Sequence, residues 1–259
     1  MNLKKILKKQ FVEKGYFIGK INPKLVKKLR KESLSLFDAI SKKSLGKKIK
    51  NDSDLIKLYN SKNKFVWDAA YAVRLLDPYL YKLALRKEIF EFVKIAGIKK
   101  PYFKTPPVSR IDMPYDTKFT YDTHQDFPYS YGSKKAVVVW IPLQDVSKEN
   151  GTLKVVEKSH IGKRLFKTKN VTRKNNVLKN APKDNVISDK YNFTFKDLTL
   201  KTGEVLVFDQ FLVHKSGYNS SNFVRFSVGF RIHDLFEGDF ASQLIKEKFN
   251  LQKLKNKRK

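Results

Sequence analysis

Cysteine is absent from this sequence of 259 residues, and so are long apolar runs. Without cysteine the chain has no disulfide bonds, no thiolate metal site and no cysteine nucleophile. This composition fits a reducing compartment, so we expect a cytoplasmic protein. No stretch approaches the ~20 consecutive apolar residues of a membrane-spanning helix, and the basic N-terminal segment lacks the apolar core of a secretion signal. Neither a membrane span nor secretion is therefore predicted.

Arginine is scarce, although the formal net charge is +30, from 55 basic and 25 acidic residues. Nine of the 55 basic residues are Arg, which leaves 46 Lys spread over the whole chain. Because Arg is the residue suited to bidentate phosphate contacts, an evolved nucleic-acid surface is expected to contain more of it. A general Lys bias explains the charge better, and we do not expect nucleic acid as a partner.

Residues 1–100 contain sequence patterns that are typical of helices. An N-cap residue followed by Pro or by an apolar stripe is typical of a helix start. The signals of this kind are Asn22-Pro23, Asp52 or Ser53, and Asp77-Pro78. Apolar residues then recur with helical periodicity. The Lys-rich stretch 41–50 is expected to be solvated, and Gly97 is expected to end the last helix.

Strand signals replace the helical ones from about residue 101 to residue 235. Runs of β-branched and aromatic residues are separated there by turn residues, which predicts a series of strands. The predicted strands are 108–112, 118–126, 135–143, 152–156, 192–200, 204–214 and 222–233. Strands without regular helices between them favour antiparallel sheets in a sandwich or barrel. We therefore expect a mainly β fold with flanking helices.

We expect a single domain over residues 1–259, because a chain of this length can bury one substantial core. The strand-rich core contains an excursion, residues 161–191, that is basic and lacks periodicity. Such a segment is either a lid over a site or a solvated loop. Residues 236–259 are predicted to form a short helix, 241–249, and a frayed basic tail.

Histidine occurs at four positions: His124, His160, His214 and His233. In a strand, residues i and i+2 point to the same face, so His124 and Asp126 would share a face while Gln125 points away. A third nitrogen ligand would complete a facial triad of two His and one carboxylate, which leaves open positions on the metal for a chelating cosubstrate and O2. Alternatively, the two side chains form a hydrogen-bonded pair within a strand.

The strand 222–233 alternates apolar and polar residues with period two, so one face packs and the other is polar. Arg225, Ser227 and Arg231 share the polar face. If this face lines a cavity, Arg225 is an anion receptor with Ser227 beside it, and Arg231 is the next candidate. His214 precedes Arg225 by 11 residues and lies where a strand meets a turn. Alternatively, Arg225 is a structural ion-pair partner. His160 is expected to be structural or to support a metal ligand from behind, and His233 is expected to be peripheral.

A series of short motifs in residues 101–235 resembles the phytanoyl-CoA dioxygenase-like family of Fe(II)/2-oxoglutarate oxygenases. The resemblance covers about half of the chain. It rests on the order of the motifs and on the eleven-residue step from a His to an Arg. The motifs are Thr123 to Asp126, Val139 to Asp145, Asn150 to Leu153, Ser159-His160, Gly203 to Asp209, His214 to Asn219, and Arg225.

The resemblance implies a double-stranded β-helix core, also called a jelly-roll or cupin-like fold, over residues 101–235. It implies that His124, Asp126 and His214 hold Fe(II). It also implies that Arg225 binds the far carboxylate of 2-oxoglutarate, with help from Ser216 or Ser227. Enzymes of this kind convert 2-oxoglutarate and O2 to succinate and CO2 and usually hydroxylate a substrate. Because a carboxylate ligand is present, hydroxylation is favoured over halogenation.

The substrate is not named by the resemblance, and we expect a small or carrier-linked metabolite, anionic in view of the Lys excess. A substrate pocket is predicted around Arg110, Phe127, Tyr129 and Tyr131. Alternatively, Arg110 forms a surface ion pair and the aromatic residues simply pack. The same metal site could serve desaturation, epimerisation or ring closure. A third interpretation is a basic binding protein that uses the jelly-roll without turnover.

Overall fold

The computed structural model describes residues 2–117, 120–129, 132–169 and 185–237. The predicted pocket residue Tyr131, the predicted helix 241–249 and the basic tail lie outside these residues. The middle of the excursion also lies outside them, so only its two ends can be compared with the prediction.

The N-terminal part forms helices, as predicted. The helices are α1 (Leu3–Lys14), α2 (Pro23–Leu45), α3 (Asp52–Tyr59), α4 (Lys64–Val73), α5 (Pro78–Ala84) and α6 (Lys87–Ile95). The Asn22 and Asp77 side chains cap α2 and α5 by accepting hydrogen bonds from backbone N–H groups of the first turn. The cap of α3 is Asn51, one residue before the predicted position.

Two predictions for the helical part were wrong. Helix α2 continues through Leu45, and Ser41 and Ile49 are buried, so the stretch 41–50 is not a solvated segment throughout. The last helix is split in two, because α5 ends at Ala84 and α6 begins at Lys87. The stretch 41–50 was predicted to be solvated because it is rich in Lys. A Lys side chain can extend its charge into solvent even where the backbone beneath it is packed.

The described strands form two antiparallel sheets and a small ladder. They are β1 (Tyr16–Lys20), β2 (Pro101–Phe103), β3 (Val108–Asp112), β4 (Ala136–Pro142), β5 (Leu153–Val155), β6 (Thr168–Lys169), β7 (Val186–Ile187), β8 (Lys196–Asp197), β9 (Glu204–Asp209), β10 (His214–Ser216) and β11 (Arg225–Asp234). The major sheet has the order β1-β9-β4-β11-β2, and β3 also pairs with β11. The minor sheet has the order β10-β5-β8, and β6 pairs with β7.

The strand predictions needed four corrections. Strand β1 lies in the region predicted to be helical and pairs with β9 at one edge of the major sheet. The predicted strand 204–214 ends at Asp209, and the chain then turns to enter the minor sheet at His214. Within the described part of the predicted strand 118–126, pairing is limited to a single bridge at His124. The predicted strand 192–200 is reduced to Lys196–Asp197.

Strand β4 shows where the core lies, because it is buried over its whole length. On one face, Val137, Val139 and Ile141 belong to an apolar cluster that includes residues from all six helices. On the other face, Val138 and Trp140 pack in a second cluster with residues of the minor sheet. The two facing sheets with helices outside confirm the mainly β, jelly-roll-like fold. Among the described residues, no helix combines the length and apolar character needed to cross a membrane.

Asp209 ends β9, and burial raises the pKa of its carboxyl to about 6, although the Phe211 N–H donates to Oδ1. The unfolded chain has an aspartate pKa of about 3.9, so the folded state holds this proton more tightly. Asp209 therefore contributes stability below about pH 4 that is lost as the pH rises through about 6.

We expect the Asp209→Asn variant to match the wild type in unfolding free energy near pH 4. It should be ~1–3 kcal/mol more stable than the wild type at pH 7.5, because the amide does not ionise. Urea unfolding followed by circular dichroism at the two pH values measures the difference. A difference that is the same at both pH values would contradict this account of the carboxyl.

Candidate metal centre

A single backbone bridge brings the predicted ligands together from distant parts of the chain. His124 and His214 face each other, with the N–H of each donating to the carbonyl of the other at 2.9 and 3.0 Å. Two residues later, the N–H of Asp126 donates to the carbonyl of Gln210 at 2.9 Å. The three side chains are buried, and each offers one ligand atom within 4.8 Å of the others. The donor set could therefore hold one metal ion.

The backbone also orients the two imidazole rings. Nδ1 of His124 lies 2.6 Å from the carbonyl oxygen of Asp122, and Nδ1 of His214 lies 2.9 Å from that of Leu212. A carbonyl oxygen can only accept, so both Nδ1 atoms carry the proton and donate it. The lone pair of each ring is then on Nε2, and Nε2 of His214 is 3.6 Å from Oδ2 of Asp126. Such backbone partners are typical of histidines that bind metals.

The electrostatics leave these groups in the protonation states that a metal requires. Burial lowers the pKa of His124 to about 3, with a further contribution from His214. Burial also lowers the pKa of His214, although the charge of Asp126 opposes the shift. For Asp126, burial favours the neutral acid, but the positive charge of Arg231 holds the pKa of the carboxyl well below its usual range. Two neutral imidazoles and one carboxylate result, which is the facial triad of non-heme iron oxygenases.

Arg225 is buried on the polar face of β11, and a chain of contacts through Asp112, Arg110 and Tyr121 links it to His124. Its Nη2 and Nε donate to Oδ2 of Asp112 at 2.6 and 3.2 Å. Its Nη1 is also buried and has no hydrogen-bond partner among the described residues. A buried guanidinium N–H of this kind is available to an acceptor from outside the described residues, such as a bound ligand. A carboxylate fits this position because it accepts charge-assisted hydrogen bonds from Arg, so the far end of 2-oxoglutarate suits the residues present.

The two predicted serines lie on different sheets. Ser227 is buried on β11, on the same face as Arg225. Ser216 follows His214 by two residues on β10 and so shares its face, and its hydroxyl accepts a hydrogen bond from the Tyr121 N–H at 3.0 Å. That hydroxyl hydrogen can still be donated, because the backbone contact uses only an oxygen lone pair.

The described members of the predicted pocket lie around His124, with one exception. Arg110 lies on β3, opposite Ser227, and its guanidinium sits 4.7 Å from the centre of the Tyr121 ring. Tyr129 meets the His124 ring edge to face at 5.6 Å. Phe127 instead stacks on Phe211 at 4.6 Å and is buried, so its position is that of a packing residue.

Tyr121 was missed by the sequence analysis, and its ring lies 5.5 Å from that of His124. An aromatic residue three positions before the first ligand is a weak signal, and nothing in its spacing distinguished it from core aromatics. Asp112, which joins Arg110 to Arg225, was missed as well. Its signal was available, because residue 112 follows Arg110 by two positions in a predicted strand and so shares its face.

Gln125 points away from the ligands, as predicted, and ties the excursion to them. Its Nε2 donates to the carbonyl oxygens of Arg164 and Phe211 at 2.8 and 2.6 Å, and its Oε1 accepts from the Phe166 N–H at 3.1 Å. At the other end of the excursion, the Ile187 N–H donates to the carbonyl of Thr123 at 2.7 Å. Both described ends of the excursion are thus hydrogen-bonded to the segment that carries the ligands.

The remaining histidines are not members of the cluster that could hold a metal. Nε2 of His160 hydrogen-bonds to the Val12 carbonyl of α1 at 3.1 Å, which fits the structural role expected for it. His233 was expected to be peripheral, and this was wrong, since it is fully buried on the same face of β11 as Arg231. Burial lowers the pKa of His233 to about 4, and the charges of Lys104 and Arg231 add to the effect.

Residues 101–227 match the family model of phytanoyl-CoA dioxygenase (PhyH). No curated protein sequence matches the chain. Several solved structures share the fold at low sequence identity.

One is EctD from S. alaskensis with bound Fe, which has a TM-score of 0.61 and 16% identity over 92% of this chain and 78% of that chain. The alpha-ketoglutarate-dependent carbocyclase SnoK from nogalamycin biosynthesis has a TM-score of 0.58 and 19% identity over 93% and 91%. The apo form of the non-heme monooxygenase ThoJ has a TM-score of 0.60 and 16% identity over 88% and 77%. The match over residues 101–227, which is just under half of the chain, confirms the resemblance to the phytanoyl-CoA dioxygenase-like family of Fe(II)/2-oxoglutarate oxygenases.

Proposed function

We propose that this protein is an Fe(II)/2-oxoglutarate-dependent hydroxylase of a small or carrier-linked anionic metabolite. The observation that carries the proposal is the triad of two neutral histidines and one carboxylate, together with the buried Nη1 of Arg225, which has no hydrogen-bond partner among the described residues. A protein that only used the fold as a scaffold would have no physical reason to combine three aligned ligand atoms with a buried, unsatisfied guanidinium donor.

In this proposal His124, Asp126 and His214 hold Fe(II), and Arg225 holds the far carboxylate of 2-oxoglutarate. When bound, Fe(II) together with 2-oxoglutarate supplies the activation of O2. The protein side chains fix the positions of both groups and exclude water, because all three ligands and Arg225 are buried. Ser227, on the same face as Arg225, would donate a hydroxyl hydrogen to the same carboxylate.

The exposure of two arginines supports an anionic substrate. The described ion pairs of the site join three guanidinium groups to two carboxylates; the groups are Arg110, Arg225, Arg231, Asp112 and Asp126. The side chains of Arg110 and Arg231 are 21% and 31% exposed, whereas that of Arg225 is 2% exposed. Arg110 and Arg231 are therefore the guanidinium groups that a carboxylate or phosphate group of a substrate would reach.

Desaturation, epimerisation or ring closure would use the same ligands, and SnoK, one of the structural neighbours, is described as a carbocyclase. These reactions differ from hydroxylation in the product, which gains no oxygen atom. The proposal of a non-catalytic basic binding protein differs more sharply, since it requires neither metal nor 2-oxoglutarate.

The test begins with the apo-protein under anaerobic conditions. Addition of Fe(II) and then 2-oxoglutarate should produce a weak visible metal-to-ligand charge-transfer band, and admission of O2 should produce slow succinate formation without substrate. A metabolite panel scored by 2-oxoglutarate consumption should respond to anionic compounds before neutral ones, and mass spectrometry of the product identifies the reaction. Absence of both the band and succinate would overturn the oxygenase proposal. Retention on a polyanion resin at high salt would then favour the binding protein.

A further inference from the structure

The two oxygens of Asp126 have different environments, and the difference comes from Arg231. Nε and Nη2 of Arg231 both donate to Oδ1 of Asp126, at 3.1 and 2.6 Å. The other oxygen, Oδ2, is the one that faces Nε2 of His214 at 3.6 Å. Arg231 is not itself one of the three metal ligands, and it acts on the site through its contact with Asp126.

Two hydrogen bonds to one carboxylate oxygen have a consequence for metal binding. An ionised carboxylate offers about four lone-pair sites, which is two for each oxygen. Nε–H and Nη2–H of Arg231 are enough to occupy both sites of Oδ1, which favours metal binding through Oδ2.

We propose, on the basis of the proposed function, that Arg231 is a positioning residue that makes Asp126 a one-oxygen metal ligand. A carboxylate that bound through both oxygens would occupy an additional position on the metal. The facial triad depends on open positions for a chelating cosubstrate and O2. Arg231 would thus keep a coordination position on the metal open for the cosubstrate or O2, and it would also set the orientation of the Asp126 side chain.

The location of Arg231 on β11 supports this role. Arg225 and Arg231 lie on the same face of one strand, and six residues of strand span about 20 Å. The strand is held in register by β4 on one side, where Arg231 pairs with Val138, and by β3 and β2 on the other. One rigid strand therefore carries both the proposed anchor for 2-oxoglutarate and the group that holds the carboxylate ligand.

The test compares Arg231→Met, which removes the donors, with Arg231→Lys, which keeps the charge but has only one nitrogen. Arg86→Met, at the N-terminus of α6, is the matched control. Anaerobic titration should show that Arg231→Met weakens Fe(II) binding ~10–100-fold, as is usual when an outer partner of a metal ligand is lost. Arg231→Lys should recover part of this loss, and the control should equal the wild type.

Difference infrared spectroscopy with labelled aspartate supplies a readout that a purely structural role would not change. The separation of the two carboxylate stretching bands should indicate one-oxygen binding in the wild type and two-oxygen binding in Arg231→Met. The inference is overturned if Arg231→Met keeps the wild-type separation, or if its Fe(II) affinity is unchanged or higher. If Arg231→Met does not fold, an Arg231→Lys variant with wild-type affinity overturns it as well. A wild type that binds no Fe(II) would instead overturn the proposed function.

Discussion

The His214→Ala substitution is expected to abolish iron binding and, with it, the consumption of 2-oxoglutarate. The His214 ring supplies one of three ligand atoms, and its backbone contact with Leu212 holds Nε2 toward Asp126. Loss of an outer partner of a metal ligand costs ~10–100-fold in affinity, and here a ligand itself is removed, so we expect a loss of more than ~100-fold. Anaerobic Fe(II) titration of His214→Ala in the presence of 2-oxoglutarate, followed by the charge-transfer band, measures it.

His160→Ala is the matched control for this experiment. His160 is a half-buried histidine whose ring contacts helix α1, and it is not part of the cluster that could hold a metal. It should lose some stability but keep the charge-transfer band. If both variants kept the band, His214 would not be a ligand of the metal, and the proposed triad would be wrong.

Charge reversal at Arg225 is expected to abolish 2-oxoglutarate binding and to spare Fe(II) binding. The substitution removes a charge-assisted hydrogen bond worth ~1.5–3 kcal/mol and adds repulsion between two carboxylates. Since each ~1.4 kcal/mol corresponds to a factor of ten, the affinity should fall by at least ~100-fold. Titration of Arg225→Glu with 2-oxoglutarate at saturating Fe(II) separates the two binding events, because the metal ligands are left intact.

The new glutamate would also face Asp112, so a milder variant is needed alongside it. Arg225→Gln keeps a donor without the charge and should lose ~10–100-fold in 2-oxoglutarate affinity. Arg86→Glu at the start of α6 is the charge-reversal control and should bind 2-oxoglutarate as the wild type does. Unchanged 2-oxoglutarate affinity in a folded Arg225→Gln variant that binds Fe(II) would show that another arginine is the receptor, and Arg231 would be the next to replace.

Part of the fold was predictable because its signals are local. The strand 108–112 was predicted with the bounds that β3 has, and the period-two alternation of β11 placed Arg225, Ser227 and Arg231 on one face. Helix starts at Asn22 and Asp77 were also predictable, since a capping side chain and its partner are two residues apart.

Other elements escaped prediction because partners elsewhere in the chain define them. Strand β1 is five residues long and follows a helix directly, so its identity depends on pairing with β9. The segment that carries His124 and Asp126 was predicted to be a strand, and among its described residues only His124 forms a bridge. The two side chains nevertheless meet at one centre, because the backbone of Asp126 is held by Gln210 rather than by a neighbouring strand.

By itself, the sequence determined which groups can bind a metal and a carboxylate, because four histidines, few arginines and their spacing leave a short set of candidates. The tertiary structure alone decided how these groups are held. Arg231 reaches Asp126 across a separation of 105 residues, and Arg225 reaches Asp112 across 113. Ion pairs of this kind depend on how the strands are ordered and registered in the sheet, and no local pattern of residues encodes that order.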